Sequence, residues 1–190
     1  MEIMEAKPAV FLDKDGTLIP DIPYNVDPDL ISLNEGVIAG LQKLQDRFVL
    51  IVVSNQSGVA KGLFEVTALE KVEQKLQSLL SKAQVAITGF YFCPHDRQGV
   101  INDYAKVCSC RKPQSGMLLQ ASIEHNLDLT RSWMIGDILN DVQAGRSVGC
   151  KSILINNGNE TEWDLASSAF RKPDFIAANF LEAANYIDQN

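Results

Sequence analysis

The chain has 190 residues, 46% of them hydrophobic and 22% charged, which is enough to bury one substantial core without disulfides or a partner. A formal charge of −7, with no block of Lys and Arg, excludes a protein that grips nucleic acid through clustered positive charge. The apolar stretch at residues 8–12 is too short for a signal peptide or a membrane span. The expectation is a cytoplasmic monomer folded as a single domain over residues 1–190.

Short apolar or β-branched runs recur along the chain with longer amphipathic stretches between them. That spacing predicts β-α units around a mostly parallel sheet, with helices on both faces. In chain order the predicted strands are Val10-Phe11-Leu12, residues 49–53, 89–92, 133–135, 152–155 and 175–176. Val37, Leu41 and Leu44 fall on one helical face, and Val72, Leu76, Leu79 and Leu80 on another. A third helix begins near Ser115 and carries Leu118, Leu119 and Ile123, with shorter helices at residues 140–147 and 181–187. Residues 156–174 are polar and poorly patterned and predict a surface helix with loops.

Ligands of open parallel sheets bind at the carboxyl ends of the strands, near the point where strand order reverses. Asp13 follows the first predicted strand, Ser54 the second, Cys93 the third and Asp137 the fourth, so the polar clusters share one edge of the sheet. In Asp13-Lys14-Asp15-Gly16-Thr17 the two carboxylates are two residues apart and suit a hard cation such as Mg²⁺. Asp13, ionised at neutral pH, can attack a phosphorus atom without a general base, and Asp15 can serve as acid and base. A calcium-type acidic loop is the competing reading, although the further ligands of an EF-hand are missing.

Ser54-Asn55-Gln56-Ser57-Gly58 offers a hydroxyl, an amide and free N–H groups to phosphoryl oxygens, and is equally an ordinary polar turn. Lys112 offers a point charge and Arg111 a planar fork for phosphate groups. Asp137 and Asp141 can complete a magnesium site and orient Lys112, or can simply favour the start of a helix.

Cys93, His95, Cys108 and Cys110 bracket residues 96–107 in two tight pairs, three thiolates and one imidazole in all. Four such donors make a closed tetrahedral Zn²⁺ site with no open position for catalysis. The zinc is therefore structural, pinning the loop over residues 98–107 and placing Arg111 and Lys112 beside the acids. A disulfide or plain thiols would be the alternative.

The four motifs, in this order, resemble the haloacid dehalogenase (HAD) superfamily of phosphohydrolases. The resemblance implies a three-layer Rossmann-like domain in which Asp13 is nucleophile, Asp15 acid and base, Ser54 a phosphate-binding hydroxyl and Lys112 the motif lysine. It further implies Mg²⁺ held by Asp13, Asp137 and the main-chain carbonyl of Asp15, with Asp141 as the second acid of the last motif. Only residues 16–53 separate Asp15 from Ser54, so no cap domain fits there, and shielding falls to the loop over residues 19–34 and to the zinc loop.

The Cys-Pro-His and Cys-x-Cys-Arg-Lys-Pro elements are similar to those of the heptose bisphosphate phosphatase family. That likeness implies a small phosphorylated sugar as substrate, with Arg111 and Lys112 helping to hold its phosphates. Two departures stand out: residues 20–26 lack the family's usual Gly-Tyr-Val loop, and Ile138 replaces a common lysine. Histidinol phosphate is the alternative substrate, and an inactive zinc-stapled binding module the alternative outside catalysis.

Overall fold

A computed structural model describes residues 5–190. Six strands, β1 (Ala9–Leu12), β2 (Val49–Asn55), β3 (Gly89–Cys93), β4 (Trp133–Gly136), β5 (Lys151–Ile155) and β6 (Phe175–Ala177), form one sheet in the order β3-β2-β1-β4-β5-β6. Every neighbouring pair is parallel. The strand order reverses between β1 and β4, which places the switch point of this Rossmann-like sheet beside Asp13 and Asp137.

The apolar runs become strands because both faces are covered. Val10, Leu12, Leu50 and Val52 point into one core layer, together with α1 (Val37–Leu44), α2 (Ala68–Ser81) and α5 (Phe180–Asp188). Ala9, Phe11, Ile51, Val53 and Met134 point the other way, toward α3 (Gly116–His125) and α4 (Leu139–Arg146). The period of two in a strand sends alternate residues to opposite layers, so a continuous apolar run is what a doubly covered strand requires. Gly145 lets α4 lie close to the sheet: a Cβ there would stand 2.5 Å from Met134 Cβ.

The third helix forms where expected, and one expectation elsewhere changes. In α3 the buried residues are Met117, Leu118 and Ala121, while Leu119 is 44% and Ile123 82% exposed. Leu119 and Ile123 are four apart and form a second stripe, turned away from the sheet. The surface helix expected within residues 156–174 is reduced to a single 3-10 turn, Ala169–Arg171. Polar side chains there take the backbone N–H groups a helix would need: Asn157 accepts from Asn159 N, Glu160 from Glu162 N and Asp164 from Ser167 N.

No cap domain is inserted among the described residues, and none of their helices is long and apolar enough to cross a membrane.

Candidate active site

Asp13 leaves β1 with its N–H still bonded to the Ile135 carbonyl, so the main chain at the switch point is fixed from both sides. Its buried carboxylate receives Lys112 Nζ at 2.5 Å, and the same ammonium meets Asp141 Oδ1 at 2.7 Å and donates to the Val53 carbonyl at 2.8 Å. Oxygens of Asp13, Asp137 and Asp141 all lie within 4.8 Å of one another.

Asp13 and Asp141 thus share one lysine, and Asp137 lies beside them without contacting it. Burial, followed by the opposing charge of Lys112 and then the charges of Asp141 and Asp137, leaves Asp13 well above the usual carboxylate range. Asp137 is pushed up to about 7, first by burial and next by Asp141, against the amide of Asn159. Burial alone would lower Lys112, but Asp13 and Asp141 outweigh it and hold the ammonium above its ordinary value. An all-oxygen cluster short of positive charge has the chemistry that a hard divalent cation satisfies. Gly16, at φ +80°, makes room for the Asp137 carboxylate, since a Cβ there would stand 1.9 Å from Asp137 Oδ2.

Asp15 stands apart from those three acids. Lys14, itself 1% exposed, donates to Asp15 Oδ1 at 2.6 Å, and Gln56 Nε2 donates to Oδ2 at 2.9 Å. The same Gln56 nitrogen lies 2.8 Å from Ser54 Oγ, so Ser54 reaches Asp15 through one side chain. The carboxamide of Asn55 clamps the Lys112 main chain, receiving its N–H at 3.0 Å and donating to its carbonyl at 3.1 Å. Asn55, grouped above with the phosphate ligands, uses both ends of its side chain to hold Lys112.

Arg111 is not part of the acid cluster. Its guanidinium donates to the His95 carbonyl at 3.1 Å and faces Asp96 at 3.5 Å. A cleft beside it is lined by Lys106, Arg111, Lys112 and Asn140. A second cleft, between Asp15, Tyr24 and residues 55–58, is roofed by the loop over residues 19–34. Lys61 Nζ donates to Tyr24 Oη at 2.6 Å and fastens that loop. At Ile138 it is the backbone N–H that matters, since it meets Asp141 Oδ2 at 3.3 Å.

The Sγ atoms of Cys93, Cys108 and Cys110 and Nδ1 of His95 lie within 4.8 Å of one another, with Cys110 2.9 Å from Cys93 and Cys93 3.6 Å from His95. One nitrogen and three sulfurs converging on a point fit a tetrahedral zinc ion. β3 delivers Cys93, and Gln56 N bonds to its carbonyl, which joins the metal loop to the end of β2. The peptide between Lys112 and Pro113 is cis.

Motif spacing did not mark Lys14, Gln56, Asn157, Asn159 or Glu160. Asn157 Nδ2 donates to the Gly16 carbonyl at 2.7 Å, Asn159 Nδ2 to Asp137 Oδ2 at 2.6 Å, and Leu139 N to Glu160 Oε2 at 2.7 Å.

A Rossmann-ordered sheet whose switch point carries clustered acids and a buried lysine defines a HAD-like hydrolase, and the family profile described as HAD-hydrolase-like matches residues 109–183. The chain is 38% identical over 173 residues to the D-glycero-β-D-manno-heptose-1,7-bisphosphate 7-phosphatase of Escherichia coli K12, covering 85% of this chain and 90% of that one. It belongs to this family of HAD-like phosphatases, which are phosphoric monoester hydrolases that use Mg²⁺.

Among solved structures, a HAD-like phosphatase of Mesorhizobium loti superposes with a TM-score of 0.83 at 28% identity, over 97% of this chain and 88% of that one. The D,D-heptose 1,7-bisphosphate phosphatase of B. bronchiseptica, solved with magnesium and phosphate, gives 0.81 at 26% identity, over 96% and 98%.

Proposed function

We propose that the protein removes the 7-phosphate of D-glycero-D-manno-heptose 1,7-bisphosphate, with Asp13 as nucleophile. The observation that carries this reading is the contact of Asp13 with Lys112 at the switch point, with Asp137 and Asp141 within 4.8 Å. The likeness to the E. coli enzyme supports the substrate.

Asp13 attacks phosphorus, the bond between phosphorus and the sugar oxygen breaks, and Asp15 gives that oxygen a proton. Asp15 then takes a proton from the water that opens the aspartyl-phosphate, which releases inorganic phosphate and restores Asp13. When bound, Mg²⁺ offsets the repulsion between carboxylate and phosphate; Asp13, Asp137 and the Asp15 carbonyl would hold it.

Lys112, kept in place by Asp141 and Asn55, faces the charge that grows on the phosphoryl oxygens. Ser54 binds one of those oxygens, and Arg111 lies where a second phosphate of the same sugar can be held. The Cys/His cluster holds Zn²⁺ structurally and fixes the two basic residues that follow Cys110. The partner in this reading is a small phosphorylated sugar, and the working unit a monomer.

The test is phosphate release with Mg²⁺ from both anomers of the heptose bisphosphate and from histidinol phosphate. The expected result is a kcat/KM on one heptose anomer at least about 10²-fold above that on histidinol phosphate. Equal rates on all three would refute the substrate, and loss of all magnesium-dependent release would leave only the binding module.

A further inference from the structure

We infer that Asn159 is a positioning residue for Asp137, and that the turn it belongs to sets the affinity of the acid cluster for its cation. The inference rests on the magnesium reading above.

Residues 157–160 lie immediately beyond β5 and reach three separate pieces of the site. Asn157 donates to the carbonyl of Gly16, in the turn that carries Asp13 and Asp15. Asn159 donates to Asp137 Oδ2. Glu160 accepts from Leu139 N, the first residue of α4 and two places beyond Asp137. Asn157 is also fixed at its other end, because its Oδ1 accepts the backbone N–H of Asn159. The turn therefore ties the β1 end to the β4 end across the switch point.

An ionised carboxylate only accepts hydrogen bonds, so the nitrogen of the Asn159 amide must be the atom that faces Asp137. Asp137 shares its space with Asp13 and Asp141, and the one lysine among them contacts Asp13 and Asp141, with no contact to Asp137. Repulsion from the other two acids would turn Asp137 outward. Asn159 holds Asp137 Oδ2, and the missing Cβ of Gly16, which would stand 1.9 Å from that oxygen, leaves it room to be held there. A neutral donor does this without adding a positive charge that would compete with the metal. Partners of this kind are worth about 10- to 100-fold in metal affinity.

The test is direct binding of Mg²⁺ by calorimetry, with Mn²⁺ as a paramagnetic probe, to the zinc-loaded protein and to Asn159→Ala. Glu162→Ala, an exposed neighbour, serves as control. The expected result is a Kd for Mg²⁺ at least about tenfold weaker in Asn159→Ala, with the control near the parent. Activity at saturating Mg²⁺ should recover most of the parent kcat, so the defect moves the magnesium dependence more than turnover.

A residue that merely shapes the loop would lower the Tm of the magnesium-free protein and kcat together while Kd stayed within about twofold. That result would overturn the inference, as would an equal loss in the control. If Asn159→Ala weakens Mg²⁺ binding and neither protein hydrolyses the heptose bisphosphate, the substrate reading fails and this inference stands.

Discussion

The acid cluster at the end of β1 and the Cys/His cluster at the end of β3 are separated by a single strand, β2, and differ in how their donors are arranged. Around Asp13 the donors are hard oxygens, crowded, buried and short of positive charge, with a cleft beside Asp15 open to a ligand. Around Cys93 the donors are three sulfurs and one nitrogen that close on each other and leave no free position. Lys112 belongs to both neighbourhoods, two residues after Cys110 in sequence and in contact with Asp13 in space. The first arrangement suits a cation that exchanges ligands, and the second suits a closed structural ion.

The comparison is broken most sharply at Asp13. Asp13→Asn should lower kcat by on the order of 10⁴-fold or more while zinc content and Tm are retained, as metal analysis and calorimetry on one preparation would check. Retained activity would remove the nucleophile. Lys112→Met should cost about 10²- to 10³-fold in kcat/KM, and its fold should suffer too, because Asp13 and Asp141 lose their shared counter-charge. Cys110→Ser reverses the order of effects. Zinc is lost and Tm falls first, and kcat follows by about 10²-fold because Lys112 shifts from its place.

The smallest effect is in pH. Asp137 is raised to about 7 and Asp13 is raised as well, each by burial first. A folded carboxylate with a raised pKa binds its proton more tightly than the unfolded chain does. Its stabilisation is complete below the unfolded value and is lost as pH rises through the folded one. The magnesium-free, zinc-loaded protein should therefore lose Tm as pH rises from about 4 to about 7, and Mg²⁺ should restore more of it at the upper end of that range. A flat profile without Mg²⁺ would show that neither acid is raised in the folded protein.

The strands and the acids were legible in the sequence because their signals are local. An apolar run such as Val49-Leu50-Ile51-Val52-Val53 followed by Ser54 states both a buried strand and its polar end. The clustering of Cys93, His95, Cys108 and Cys110 was legible for the same reason, as two close pairs.

What escaped is joined over long range. Asn157 meets Gly16, and Asn159 meets Asp137, from a polar stretch with no period to mark it. Gln56 and Lys14 sat inside the motifs, but nothing in their spacing said that both side chains turn toward Asp15. In α3 the helix was legible and its buried face was not, because Leu119 and Ile123 are apolar on the exposed side. Hydrophobic pattern fixes a face only where the opposite face is polar.

The most direct test of the account is to trap the covalent intermediate. Protein mixed with substrate and Mg²⁺, quenched in acid and reduced with borohydride, should yield a peptide in which residue 13 is homoserine, the product of a reduced aspartyl-phosphate. Unmodified Asp13 during turnover, or a modification mapped to another residue, would contradict the assignment of Asp13 as the nucleophile.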